Sequence, residues 1–330
     1  MEIAVIGVGA IGGTIAALLD RAGHEVEVAA RGAQLDAIRS HGIRLSGAFG
    51  DHVATVRAEP QLTRTPALAV LATKAMDAPA AARNNSGFLD NVPLVVVQNG
   101  LGGLELTAQA VPHSPVVGAL CLIAASLSGP GEIVVTTAAP TWLGMTDPSL
   151  GDGAARFAAS VLGEAIPCEV VAGFEGARWT KLIINQVNAL PAITGLSVQE
   201  VIDHPGLRRL LSQSMQEAAR VGLAHGVRFE EVNQVTHEAL VRLAASTPAD
   251  AEFLAVQLRA YLGDVPNPGS TLQSIRRGQA SEIDYLNGAI VTAGAAVSIP
   301  TPVNARLVEW VHEVERTGRF LAPTDVLAAF

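Results

Sequence analysis

In residues 179–190, WTKLIINQVNAL, Lys181, Asn185 and Asn188 recur at i, i+4 and i+7, while Trp179, Leu182, Ile183, Val187 and Leu190 fall on an apolar side. At 3.6 residues per turn this spacing sets one cation and two amides in a stripe. Asparagine is a poor helix-interior residue unless its side chain has a partner, so the stripe reads as a surface that holds a small polar ligand. The cation is unusual in kind: Lys74 and Lys181 are the two lysines among 22 Lys plus Arg. Arginine, with a pKa above about 12, stabilises an oxyanion but releases no proton. A lysine whose pKa is lowered by burial or by a nearby positive charge does both. That suits Lys181 to meet the charge that develops on a carbonyl oxygen during reduction.

A reductant is implied at the other end of the chain. MEIAVIGVGAIGG puts Gly7, Gly9 and Gly12 in G-x-G-x-x-G spacing between a predicted strand and a predicted helix that Ala10 and Ile11 open. The first glycine permits a tight turn, the second lets backbone approach a pyrophosphate, and the third permits close helix packing, while the helix N-terminus attracts the anion. Enzymes that prefer NAD place an acid at the tip of the second strand. Here that strand, HEVEVAAR, ends in Ala29, Ala30 and Arg31, and Glu25 and Glu27 lie within it. A cation without an acid at the tip suits a 2′-phosphate, so NADPH/NADP+ is the expected cofactor. Lys74 follows AVLAT and Asn99-Gly100 follows the strand PLVVV, at the carboxyl ends of strands where α/β sheets bind ligands.

A third group lies in NPGSTLQSIRRGQASEIDYLNG, residues 267–288. Ser270 and Gln273 have the spacing of a capping box, and Ser281 followed by Glu282 has that of an N-cap with an acid in the first turn. Capping alone accounts for both.

The elements that must position these residues change texture along the chain. Residues 3–6, 26–29, 68–71 and 94–97 read as buried parallel strands alternating with helices. The runs VVGALCLIAAS, GEIVVTT and TWLGM add more sheet, and after Pro167 the chain turns to long amphipathic helices such as GLRRLLSQSMQEAARVGLAHG and TPVNARLVEWVHEVERTG. The boundary is expected near residues 168–173, giving domains 1–170 and 171–330. At 330 residues, two domains fit the size expected of single cores. A formal net charge of −9 with no basic run argues against nucleic acid or an anionic membrane as partner, and with 49% hydrophobic residues there is still no apolar run of about 18 residues. With no secretory signal after Met1, a cytoplasmic location is expected. Cys121 and Cys168 lack CxxC or metal-ligand spacing and read as buried thiols, so no metal is expected. The partner is then a small molecule, and a homodimer is compatible with an apolar helical half.

With Gly7, Gly9, Gly12, Arg31, Lys74 and Asn99 in the first half, and WTKLIIN and SEIDYLNG in the second, the chain resembles the ketopantoate reductase (2-dehydropantoate 2-reductase) family over nearly its full length. The resemblance implies an α/β fold, with an N-terminal Rossmann-type dinucleotide-binding domain followed by an all-helical C-terminal domain, and NADPH-dependent reduction of ketopantoate to pantoate. It makes Lys181 the catalytic lysine and Glu282 the active-site glutamate. It assigns substrate contacts to Asn99, Asn185, Asn267 and Ser270. Arg31 and Lys74 become cofactor contacts, joined by Asn99 and Glu282. Two departures stand out: Asn188 comes seven residues after Lys181 where many members place an amide at eight, and Gly269-Ser270-Thr271-Leu272-Gln273-Ser274 stands where members often read Ser-Ser-Met-Leu-Gln-Asp. Another 2-oxo acid reductase, an opine-type reductase, and a non-catalytic NADP-binding sensor remain alternatives.

Overall fold

The computed structural model describes residues 1–145, 149, 151–263 and 265–330. Its contacts divide the chain into two units, Met1–Gln98 with Gly102–Phe174, and Asn99–Leu101 with Glu175–Phe330.

The first unit is an α/β sandwich. Its strands are β1 (Glu2–Ile6), β2 (Glu25–Ala29), β3 (Ile43–Gly47), β4 (His52–Ala54), β5 (Arg57–Glu59), β6 (Leu68–Leu71), β7 (Leu94–Val97), β8 (Val116–Cys121), β9 (Ala124–Gly129), β10 (Glu132–Thr137), β11 (Thr141–Met145) and β12 (Cys168–Val170). Eight form one sheet in the order β12-β11-β8-β7-β6-β1-β2-β5. Every neighbouring pair is parallel except β8 with β11. The apolar runs expected at 3–6, 26–29, 68–71 and 94–97 are its central strands. Ile3, Val5, Leu68, Val70, Leu94 and Val95 are fully buried because helices cover both faces. The chain goes from β1 outward to β2, then returns across β1 to β6, so the sheet reverses direction beside β1, where such folds bind ligands.

A second sheet, β4-β3-β10-β9, lies on the helix Ala10–Arg21. Its Ile133 side chain closes so tightly on that helix that a Cβ added to Gly13 would stand 2.3 Å from it. Cys121 and Cys168 both pair with Thr141, one from each side. They are thus two strand spacings apart, roughly 9–10 Å, beyond disulfide reach. Burial, then the neighbouring Cys121, pushes the Cys168 thiol up to about 12, which keeps it protonated and inert.

Among its described residues, the regular structure of the second unit is helical apart from an isolated bridge between Val232 and Val235. The 20-residue helix Pro205–Ala224 is its axis, buried through Leu207, Leu210, Leu211, Met215, Ala218 and Val221. Leu182, Ile183, Leu190, Leu307 and Val311 belong to the same core. No described helix is long and apolar enough to cross a membrane.

Phe174 marks the division. It opens the helix Phe174–Ile184, yet its side chain packs in the first unit, where Cβ atoms added to Gly118 and Gly144 would come within 2.3 Å and 2.2 Å of it. Two glycines on adjacent strands thus make the slot for one ring. Phe174→Ala is expected to cost the first unit about 3–5 kcal/mol. Thermal unfolding should report this as a drop of at least about 6 °C.

Candidate active site

Strand register gathers the residues expected on the cofactor side. Ile6 pairs with Ala29 on one side and Leu71 on the other, and Leu71 pairs with Val96. Gly7 N then donates to Ala29 O at 3.0 Å, and Ala72 N to Ile6 O at 2.8 Å. The residues that follow, Gly7, Arg31, Thr73-Lys74 and Gln98, therefore leave the sheet side by side. The three glycines differ in what surrounds them. Gly7 has φ +91° and backs onto Thr73, while a Cβ on Gly12 would fall 2.1 Å from the Gly7 carbonyl oxygen. A Cβ on Gly9 would meet no protein atom within 4 Å. Gly9 is the N-cap of Ala10–Arg21 and has no side chain to cap it, so the amides of that first turn are presented as an anion site.

Arg31 is exposed at the N-cap of the helix Gly32–His41. Glu27 is buried inside β2 and accepts from the Thr63 amide and hydroxyl. Glu59, which pairs in register with Ala29, forms an ion pair with Arg39. The acids nearest the strand tip are thus committed to the protein. Lys74 is half-buried, and its carbonyl accepts from Asp77 N and Ala78 N.

Three further residues emerge only in the folded chain. Gln34 donates to Val8 O at 2.8 Å and accepts from Gly131 N at 2.9 Å, bracing the glycine turn from behind. Thr73 Oγ1 and both polar atoms of the Gln98 side chain are buried without a protein partner. Unpaired buried polar atoms at strand ends beside a glycine turn fit a polar ligand such as a dinucleotide. The sequence signal was the first polar residue past each of two wholly apolar strands, Gln98 directly after Val97 and Thr73 two residues after Leu71.

In the second unit, the helix expected to run through Asn188 instead ends at Ile184 and tightens into a 3-10 turn, Asn185–Asn188, before Ala189–Thr194. Lys181 and Asn185 remain half-buried, whereas Asn188 turns inward. Its Nδ2 donates to Asn185 O at 3.0 Å and its Oδ1 accepts from Ser270 N at 3.0 Å. Asn188 therefore joins the Lys181 segment to the Ser270 segment, with both ends of its amide engaged.

The capping box expected at Ser270 does not form. Ser270 lies inside the helix Gly269–Arg276, whose N-cap is Pro268. Asn267 Oδ1 takes the Gly269 amide at 2.9 Å and Asn188 Oδ1 takes that of Ser270, so two asparagines cap the helix in place of Ser270 and Gln273. Asn267 and the Ser270 side chain are exposed. At Ser281 the capping is local: its hydroxyl accepts from Ile283 N at 3.3 Å and starts a 3-10 turn, Ile283–Tyr285, with the next α-helix beginning at Asn287. Glu282 sits half-buried at the head of that turn rather than within a helix.

Asn99 comes to the same turn. Leu101 N donates to Tyr285 O at 3.0 Å, and Gly100, at φ +80°, approaches so closely that a Cβ would lie 1.9 Å from that oxygen. The Glu282 turn is anchored from its other side by Glu315, which accepts from Ser281 N at 2.7 Å. His312 spans Glu315 and Asp284, at 2.9 Å to each.

A glycine turn at the reversal point of a parallel sheet, joined in sequence to a helical unit bearing a lysine, a glutamate and several amides, defines a two-unit dinucleotide-binding oxidoreductase. Residues 3–148 match the model for "Ketopantoate reductase PanE/ApbA" and residues 173–315 its C-terminal counterpart. A 2-dehydropantoate 2-reductase of Archaeoglobus fulgidus is 28% identical over 95% of this chain and 98% of its own. Among solved structures, a PanE/ApbA family ketopantoate reductase from Ralstonia eutropha JMP134 superposes with a TM-score of 0.80 at 29% identity, covering 96% of this chain and 99% of that one. A D-mandelate dehydrogenase in complex with NADH shares the fold, with a TM-score of 0.80 at 20% identity over 96% of this chain and 99% of its own. The chain belongs to the ketopantoate reductase family, oxidoreductases acting on CH–OH groups.

Two outcomes follow from the geometry. Gly9→Ala should leave thermal stability unchanged and weaken dinucleotide binding, whereas Gly12→Ala should lower both, because its Cβ meets backbone; calorimetry and cofactor titration separate the two. For His312, burial lowers the pKa but the hydrogen bonds it donates to Glu315 and Asp284, with their charges, outweigh it, and the net shift is upward. Burial also raises Glu315, but its bonds from Ser281 and His312 outweigh that and bring it down. A raised histidine stabilises fully below its unfolded pKa of about 6.5 and loses that contribution as pH rises through the folded value. A lowered glutamate stabilises above about 4.5 and loses it as pH falls. The clamp is therefore strongest between roughly pH 4.5 and 6.5. His312→Ala should remove a pH-dependent contribution of at most about 1 kcal/mol, since the pair is partly exposed. Melting temperatures measured from pH 5 to 8 should then differ less with pH in the variant than in the parent.

Proposed function

We propose that this protein reduces a 2-oxo acid with NADPH, and that the substrate is 2-dehydropantoate (ketopantoate), giving (R)-pantoate for pantothenate and coenzyme A synthesis. The observation that carries the reading is that both halves of the chain match the two parts of the ketopantoate reductase model. When bound, the nicotinamide cofactor supplies the hydride. Gly7, Gly9, Ala10, Ile11 and Gly12 hold its pyrophosphate at the helix N-terminus, with Lys74, Asn99 and Glu282 as further contacts. Arg31 takes the 2′-phosphate by charge-assisted hydrogen bonds, an assignment supported by the commitment of Glu27 and Glu59 elsewhere.

Lys181 stabilises the negative charge that develops on the 2-oxo oxygen and then delivers a proton to it. Glu282 orients the lysine and accepts a hydrogen bond from the product hydroxyl. Asn99 and Asn185 hold the polar groups of the substrate. Asn267 has its Oδ1 occupied by Gly269 N, so it offers Nδ2 donors, which suit a carboxylate. Ser270 has its amide occupied by Asn188, so it offers its hydroxyl.

A steady-state assay of NADPH oxidation with ketopantoate, pyruvate and benzoylformate tests the substrate. The highest kcat/KM is expected for ketopantoate, and a preference for either other acid replaces it. Lys181→Arg should lower kcat by about 10²-fold or more. Near-normal turnover in that variant means that charge alone suffices and no proton comes from residue 181. Arg31→Ala should raise the KM for NADPH about tenfold while leaving that for NADH unchanged.

A further inference from the structure

The helical unit buries a set of polar side chains that none of the proposed contacts uses. Gln186, Ser214, Asn287 and Asn304 are each 0% exposed. Asn287 Nδ2 donates to Gln186 Oε1 at 2.7 Å and to Asn304 Oδ1 at 3.0 Å, so both of its protons are placed. The Ser214 hydroxyl lies within reach of the same two oxygens, at 2.9 Å and 3.0 Å. Asn304 Nδ2 continues the set to Glu217 at 2.7 Å, and Gln186 Nε2 donates to Leu182 O at 3.0 Å. Asn287 Oδ1 is buried without a partner. A core selected for stability alone fills such positions with apolar residues of similar volume. A polar set in which nearly every donor is matched instead fixes one arrangement of its elements.

The elements joined are the two that matter. Gln186 directly follows Asn185 in the continuation of the Lys181 helix, and Asn287 follows Glu282 by five residues and opens the helix behind its turn. The Asn287–Gln186 hydrogen bond is thus a short rigid link between the backbone that carries Lys181 and the backbone that carries Glu282. We propose that Asn287, through this buried bond, is a positioning residue that fixes Glu282 relative to Lys181; the inference rests on the roles given to those two residues above.

The scarcity of lysine supplies a direct readout. Reductive methylation with 13C-formaldehyde labels Lys74, Lys181 and the terminal amine, and Lys74→Arg assigns the signals. A carboxylate held near a lysine raises its pKa. Asn287→Leu and Gln186→Met, which break the link from opposite sides, should each lower the Lys181 titration midpoint by about half a unit or more. On separate unlabelled protein they should lower kcat about 10- to 100-fold, with the KM for NADPH changed less than about twofold. The double variant should be no worse than either single one. Ser214→Ala removes a member of the set but leaves the link, and should keep both the midpoint and kcat. The proposal is overturned if the Lys181 midpoint stays put in both link variants, or if Ser214→Ala shifts it equally, which marks a purely structural set. Should one link variant fail to fold, the other carries the test. If none of the 2-oxo acids supports NADPH oxidation by the parent, the functional reading fails, while the titration still decides whether the link positions Lys181.

Discussion

The parallel ladder through β1 is the constraint on which the cofactor side depends. Because Ile6 is level with Ala29 and Leu71, three chain segments leave the sheet at one height. A register slip of one residue would exchange the faces of every side chain on the slipped strand, expelling apolar residues from a doubly covered layer. The burial of β1, β2 and β6 therefore locks the positions of Gly7, Arg31 and Lys74 more firmly than local interactions around those residues could. The glycines add the last increment: with Gly12 packed on the Gly7 carbonyl, the helix dipole begins close to the turn.

Among the described residues of the helical unit there is no strand ladder, and side-chain amides do the comparable work. Asn188, Gln199, Gln186 and Asn287 each bind backbone or side-chain groups distant in sequence. Gln199 is typical: its Nε2 donates to Val265 O at 2.7 Å and its Oε1 accepts from Asn267 N at 2.9 Å, which holds the approach to the Ser270 helix. An amide carries a donor and an acceptor at a fixed separation, so each one sets a distance between two segments. Glu217 does the same for the helix Pro302–Thr317, accepting from Val303 N and Asn304 N. Burial raises its pKa even against those bonds.

How much of this could be read from the chain follows from the range of the forces concerned. The central strands are short, mainly apolar runs, a pattern that covering both faces of a sheet favours, so their positions were legible to within a residue. The strands β3, β4, β5 and β12 were not. IRLSG, HVA, RAE and CEV are short, mixed in polarity and held mainly by pairing to strands elsewhere. The stripe of Lys181 and Asn185 was visible as a helical period. The break after Ile184 was not, since a 3-10 turn and an α-turn differ by about half a residue per turn. Ser270 carried a local capping signal that the fold did not use, because amide partners from Asn267 and from Asn188, 82 residues away, reached the helix start first.

Hydrogen-bonding capacity then separates residues that build the site from those able to meet a ligand. Asn188 has its carbonyl and its amide nitrogen engaged by protein, and Gln34 likewise, so each is spent on shape. Asn267 has one end engaged, which fixes its orientation and leaves the other end directed outward as a donor. Thr73 and Gln98 are half-buried, and the protein leaves their buried side-chain polar atoms unmatched. The same reasoning explains why one of the two asparagines on the stripe, Asn188, is scaffold. In a site made largely of amides, residue type gives the chemistry that is available, and the partners already taken decide which atoms can use it.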